Sequence, residues 1–210
     1  MTQVNLYALS YPVTALGPGK RLALWVAGCG KRCPGCISPE MQSPDSGKKL
    51  EVETLLSHIS RIPMELDGLT ISGGEPFDQP EAIVELLEGI RSRFPQWNII
   101  LYSGYTLLTL RKRHRAVQKI LKLIDVLIDG PFRRENPSIH PLTGSGNQHL
   151  RYLTPRGKDL KSNMDKIPFN QANLGMGPGK MKMIIGILDP LARESVHKSL
   201  GIHGEVGINE

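Results

Sequence analysis

The sequence predicts an α/β fold with a mostly parallel sheet, and two observations carry the prediction. Apolar runs alternate with amphipathic segments from Arg21 to Gly130, and a loop bearing glycine, serine or aspartate follows each apolar run, at Gly28, Gly73, Ser103 and Asp129. Strands separated by helices imply right-handed crossovers, hence a parallel sheet whose ligands gather at the carboxyl ends of its strands.

Taken in order, Leu22–Ala27 (LALWVA) reads as a buried strand and Val52–Ile62 as a helix. Leu69–Ser72 is a short strand ended by a Gly-Gly turn, and a helix follows from Pro80 to Phe94. Asn98–Tyr102 reads as a strand, Leu107–Leu123 as a basic helical stretch and Ile124–Ile128 as the next strand. Residues 154–180 are rich in Pro, Gly, Asn and Lys with little periodicity, which predicts a long irregular excursion. Met181–Leu188 reads as a further strand, and Asp189-Pro190 as the N-cap and first residue of a short helix ending before Gly201. The predicted organisation is therefore a core over residues 1–153, with residues 154–210 packed on it. The tetrapeptide GPGK at 17–20 recurs at 177–180, but neither copy has the spacing of a phosphate loop.

At 210 residues the chain fits one domain of about 150 residues with an appendage. Hydrophobic residues at 40% and charged residues at 22% indicate a globular protein and exclude a disordered or collagen-like one. No apolar run approaches the roughly 18 residues needed to span a bilayer, and the start, MTQVNLYALS, lacks the basic-then-apolar order of a signal peptide. The expected location is the cytoplasm, without membrane association. The net charge of +6 is local: residues 111–134 hold eight Lys or Arg against Asp125 and Asp129, which accounts for all of it. No stacking aromatics are interleaved between 111 and 131, so a solvated helix face is favoured over partner docking, and nucleic acid is not expected.

Three cysteines, Cys29, Cys33 and Cys36, fall within eight residues directly after the first predicted strand, in the spacing C-x3-C-x2-C. An odd number so close together is a poor disulfide framework and a good ligand set. Zinc knuckles use four ligands, and the nearest His is His58. A 4Fe-4S cubane held by three cysteines leaves one iron open, which makes it a reagent as well as an electron carrier. Gly28, Gly30 and Gly35 allow close wrapping of the backbone, and Lys31 and Arg32 place positive charge beside the thiolates. Downstream, Gly73-Gly74-Glu75-Pro76 follows another predicted strand; two glycines permit close approach of a ligand, and Glu75 offers an acceptor for an ammonium.

The two motifs together resemble the radical S-adenosylmethionine enzymes. Within them, the words GPGKR (17–21), GCGKRCPGC (28–36), SGGEPF (72–77), LYSGY (101–105), DVLIDGPF (125–132) and GSGNQ (144–148) resemble the activating enzymes of anaerobic ribonucleotide reductase. The resemblance spans Gly17 to Leu153. It implies an open partial (β/α) barrel of the radical SAM type, a 4Fe-4S cluster on Cys29, Cys33 and Cys36, and S-adenosylmethionine chelating the open iron. It further implies that one electron cleaves the sulfonium and that the 5′-deoxyadenosyl radical takes a hydrogen from a glycine of the reductase. By the same resemblance Gly73, Gly74, Glu75 and Pro76 bind the methionine amino group, Ser103 and Gly104 line the ligand, and a flavodoxin or ferredoxin supplies the electron. Asp129 could accept from the ribose, hold a cation, or cap the following loop; Asn147 and Gln148 receive no role. The form CPGC, with Gly35 where many radical SAM enzymes carry an aromatic residue, is shared with the reductase activases. ISPEMQ after Cys36 departs from their usual Asn-Pro pair, and the tail from Lys158 has no counterpart there. The implied activity is that of an oxidoreductase generating a glycyl radical on anaerobic ribonucleotide reductase. The alternatives are a radical SAM enzyme of the same build with another protein, peptide or small-molecule substrate, and a non-catalytic iron-sulfur or zinc module.

Overall fold

The computed structural model describes residues 2–176 and 182–199. Among them one mixed sheet holds β1 (Gln3–Val13), β2 (Arg21–Val26), β3 (Lys48–Glu51), β4 (Gly68–Gly73), β5 (Asn98–Ser103), β6 (Val126–Asp129) and β7 (His149–Tyr152), in the order β3-β1-β2-β4-β5-β6-β7. The centre, β2-β4-β5-β6, is parallel, while the β1–β2, β1–β3 and β6–β7 pairings are antiparallel. The sheet is thus mixed, with its parallel part confined to the predicted strands. A second, antiparallel pair joins β8 (Asn173–Met176) to β9 (Lys182–Ile185).

Alternation along the parallel strands divides the core into two layers. Leu22, Leu24, Val26, Leu69, Ile71, Ile99, Leu101 and Leu127 face α1 (Val52–Ile59), α2 (Pro80–Arg93) and α4 (Arg115–Leu123), whose apolar stripes meet them. The opposite face carries Ala23 and Trp25 with Ile185 of β9, and Ile100, Val126 and Ile128 with Leu142 and Met164. Because both faces are covered, β2 is buried along its whole length and reads as a continuous apolar run.

Several elements go beyond the predicted ones. β3 and β7 are four residues long with alternate residues or pairs exposed, and they exist through pairing to β1 and β6 rather than through apolar content. The period of β1 is broken by register shifts between Leu6 and Ala8 and between Ser10 and Val13, which hides it from a search for strict alternation. The basic stretch is two helices, α3 (Leu107–Leu110) and α4, separated at residues 111–114. RKRHR at 111–115 offers no apolar face there, and Gln118 Nε2 donates to Leu110 O across the break at 2.9 Å. The helix from Val52 ends at Ile59, where Ser60 Oγ donates back to Leu56 O at 3.0 Å.

The excursion also holds regular structure, with α5 (Pro155–Asp159), α6 (Lys161–Met164) and β8. Of the predicted strand at 181–188, Lys182–Ile185 form β9 while Gly186–Leu188 are irregular, and α7 (Pro190–Ser199) follows; Met181, the second GPGK and Gly201 lie outside the described residues. Asn173 Oδ1 accepts from the N–H groups of Thr14 and Ala15, both at 2.9 Å, pinning the β8–β9 pair beside β1. No helix among the described residues is long and apolar enough to cross a membrane.

Candidate functional site

The cysteine loop leaves β2 through Gly28, whose φ of +95° is open to glycine at little cost. The N–H groups of Gly28 and Cys29 donate to Met41 O and Gln42 O at 2.9 and 3.0 Å, and Gly30 N–H donates to Asp78 Oδ2 at 2.8 Å. Arg32 and Gly35, at φ +45° and +62°, turn the chain so that all three half-buried thiols line one cavity of about 670 Å³. Burial pushes the Cys29 thiol up, opposed by the backbone N–H groups of Arg32 and Lys31. Among the described residues no three Cys, His, Asp or Glu side chains gather as ligands of a single ion do. Three thiols lining one cavity, with no fourth ligand beside them in sequence, are the donor set of a 4Fe-4S cluster with one open iron rather than of a four-ligand structural zinc site.

The Gly-Gly-Glu-Pro loop is joined to this loop by backbone bonds. Gly74 N–H donates to Val26 O at 2.7 Å and Glu75 N–H to Gly28 O at 2.9 Å. A Cβ on Gly74 would run into the Gly28 carbonyl, so the close approach requires glycine. Glu75 is 1% exposed. Its carboxylate accepts from Phe77 N–H (3.1 Å), Gly104 N–H (2.8 Å) and Ser103 Oγ (3.0 and 3.1 Å). Burial raises its pKa to about 7, against those hydrogen bonds and with a further push from Asp78. Its oxygens are thus already engaged by protein donors, and the carboxylate presents its charge at the cavity edge rather than a free acceptor. Pro76 is buried at the start of the 3-10 turn Pro76–Asp78 and is not among the residues that line the cavity.

Ser103 and Gly104, at the end of β5, share the cavity with Gly73, Gly74 and Glu75. Lys31 lays its stem against Gly104 and its ammonium over the Tyr105 ring, 4.4 Å from the centroid; the Arg113 guanidinium also stacks on that ring at 3.8 Å. Asp129 is placed differently. It is buried, its Oδ2 accepts from Leu107 N–H at 2.6 Å and its Oδ1 from Arg151 Nε at 2.9 Å, while Gly130 after it is what lines the cavity. Its carboxylate therefore holds the start of α3 and the edge strand β7.

GSGNQ folds back on the loop after β6: Gln148 Oε1 accepts from Gly144 and Ser145 N–H at 2.7 and 3.2 Å, and its Nε2 donates to Gly130 O at 3.0 Å. Gln148 and Gly144 thereby become part of the cavity wall. Tyr102 of LYSGY also lines the cavity, and other lining residues carry no motif: Tyr7 and Trp25 from strands, and Met183–Leu188 with Arg193 from the tail. The inward half of each strand's alternation is the signal for Trp25 and Tyr102. The apolar run 181–188 predicts a strand, but nothing local says which surface it covers.

The family of the 4Fe-4S single cluster domain matches residues 15–151. The chain is 33% identical over 139 residues to the anaerobic ribonucleoside-triphosphate reductase-activating protein of Enterobacteria phage T4, covering 64% of this chain and 85% of that protein. It is 32% identical over 156 residues to the protein of the same name from Vibrio cholerae, covering 70% of this chain and 98% of that one. A shorter similarity, 38% over 76 residues, joins it to the pyruvate formate-lyase-activating enzyme of Clostridium pasteurianum, covering 34% of this chain and 32% of that enzyme. With three cysteines and a Gly-Gly-Glu-Pro loop on one cavity and these matches across its first three quarters, the chain belongs to the 4Fe-4S single cluster family of the anaerobic ribonucleoside-triphosphate reductase-activating proteins.

Proposed function

We propose that this protein is a radical S-adenosylmethionine oxidoreductase that generates a glycyl radical on anaerobic ribonucleotide reductase, acting in the cytoplasm. The observation that carries the reading is the single cavity shared by Cys29, Cys33, Cys36, Gly73, Gly74, Glu75, Ser103 and Gly104. The three thiols hold the cluster, and deprotonation of the raised Cys29 thiol accompanies loading. When bound, the cluster supplies the electron that splits S-adenosylmethionine into methionine and a 5′-deoxyadenosyl radical. Gly73 and Gly74 let the methionine end of the ligand approach the backbone, and the Glu75 charge behind them favours its ammonium. Ser103 and Gly104 hold that carboxylate in place. Asp129, bonded to Leu107 and Arg151, keeps the loop ending in Gly130 at the cavity. Support for an open partial (β/α) barrel comes from the helices on one face of the parallel strands and the cavity at their carboxyl ends. Residues 1–153 are the catalytic core in this reading and 154–210 its appendage. A flavodoxin- or ferredoxin-type protein donates the electron, and the exposed Arg32 offers such an acidic partner a cation on the cysteine loop.

Anaerobic reconstitution is expected to give about four irons per chain, in keeping with a single cubane. Reduction in the presence of S-adenosylmethionine then releases methionine and 5′-deoxyadenosine, and Cys33→Ala abolishes this release. Addition of the reductase yields a glycyl radical signal by electron paramagnetic resonance. Zinc uptake without cleavage would overturn the reading, and cleavage without a radical on the cognate reductase would move it to another substrate.

A further inference from the structure

We propose that residues 183–188 with Arg193 form a substrate-selecting wall, through which the cavity accepts one extended peptide segment bearing glycine at the reacting position. The inference rests on the activase reading above and specifies how its substrate is chosen. Met183, Ile184, Ile185, Gly186, Ile187 and Leu188 line the same cavity as the three thiols and the Gly73–Glu75 loop. They lie beyond residues 15–151, the stretch shared with the family. The match to the Vibrio cholerae protein uses 98% of that protein but 70% of this chain, so this chain carries residues without counterpart there.

The wall is held in place at both ends. Ile185 is buried against Ala23, Trp25, Val13 and Leu16 on the inner face of the sheet. Asn173, paired with Ile185 in the hairpin, bonds Thr14 and Ala15, and Gln171 Nε2 donates to Thr14 Oγ1 at 3.0 Å. Beyond the strand, Asp189 accepts from Ala192 N–H at 2.8 Å and Asn170 Nδ2 at 2.7 Å, which closes the turn into α7. Segments anchored through side chains on three elements act as walls rather than as fraying ends.

What this wall does follows from its chemistry. Hydrogen abstraction by a carbon radical needs no acid or base, so protonation cannot select the substrate and shape must. Aliphatic side chains from Met183 to Leu188 supply shape and exclude water, while the Lys31 stem over Gly104 and Ile37 with Phe132 over Gly144 narrow the same cavity. A glycine-bearing main chain fits between such walls; a side chain at the reacting position meets the isoleucines. Arg193 sets its charge on Glu40 of the same cavity and joins the tail to the segment after the cysteine loop.

The test uses the full chain and a readout independent of turnover. A fluorescent peptide carrying the reductase's radical glycine, and the same peptide with Gly→Leu, are titrated by anisotropy. The wild type is expected to prefer the glycine peptide by about tenfold, and Ile184→Ala/Ile187→Ala to lower that preference to about twofold, as removing packed methyl groups from a pocket does. Leu191→Ala, on α7 but turned to solvent, keeps the wild-type preference. In the loaded enzyme the double variant also forms more 5′-deoxyadenosine per glycyl radical. Equal affinity of the wild type for both peptides, or an unchanged preference in the double variant, overturns the wall. A wild type that prefers the glycine peptide yet fails to cleave S-adenosylmethionine overturns the activase reading and leaves the wall standing.

Discussion

Glu75 is a buried carboxyl with a pKa near 7, set by burial and opposed by donors from Phe77, Gly104 and Ser103. The folded chain therefore holds this proton more tightly than the unfolded chain, and the group's contribution to stability falls as pH rises from its ordinary 4.5 to about 7. Ligand binding runs the other way, because an ammonium is favoured only by the ionised form. Affinity for S-adenosylmethionine, measured by equilibrium dialysis under anaerobic conditions, should fall by more than about tenfold from pH 7 to pH 5.5. Glu75→Gln should weaken binding at pH 7 and remove this dependence; a pH profile unchanged by the substitution would show that the charge is not used. The Gly-Gly-Glu-Pro motif is legible because its residue types carry their chemistry with them. The saturation of Glu75 by Ser103 and Gly104 is not legible, since the partners come from a strand end 28 and 29 residues away. The same holds for Asp129, whose bond to Arg151 depends on an edge strand with no apolar signature.

At the scale of elements, the cysteine loop and the Gly-Gly-Glu-Pro loop behave as one unit, because each follows a strand of a parallel pair and β2 and β4 are neighbours with Val26 opposite Gly73. Gly74→Ala sets a Cβ against the Gly28 carbonyl, and backbone on both sides leaves nothing flexible to yield. Iron content after reconstitution and S-adenosylmethionine cleavage should both fall, the latter by at least about tenfold, given how steeply misplacement of reacting groups costs rate. Normal iron content with normal cleavage would mean the two loops move independently. The parallel strands were legible because each is buried on both faces and reads as an apolar run. β1 was not, since bulges break its period, and β3, whose two lysines are exposed, is a strand only because β1 lies beside it.

Across the whole molecule, Asp125 joins three layers. Its Oδ2 accepts from Ile99 N–H and Arg91 Nη2, both at 2.8 Å, and its Oδ1 from Thr154 Oγ1 at 2.6 Å, so sheet, outer helix and C-terminal segment meet at one buried carboxylate. Asp125→Ala leaves an amide, a guanidinium and a hydroxyl without their acceptor. It should lower stability by about 3 kcal/mol in urea denaturation, the range for breaking a largely buried pair. A loss within about 0.5 kcal/mol, the range of an ordinary surface substitution, would show that water replaces the carboxylate. The basic stretch is mostly a solvated surface, as its composition suggests: Lys119 pairs with Glu88 at 2.6 Å while Arg111, Lys112 and Arg115 stay exposed. Arg113 departs from it by stacking on Tyr105 beside the cysteine loop.

By itself the sequence determined the succession of strands and helices from Arg21 to Asp129 and the loops that carry the thiols and the glycines. These rest on periodicity and on spacing within one loop, which short-range physics sets. Only the tertiary structure decided which face of each strand looks into the cavity, that Glu75 and Asp129 are bound by protein partners, and that Met183–Leu188 lines the same cavity as the cysteines. Each of these depends on groups far apart in the chain meeting where the sheet brings them, and an apolar or charged residue carries no mark of the partner it will meet.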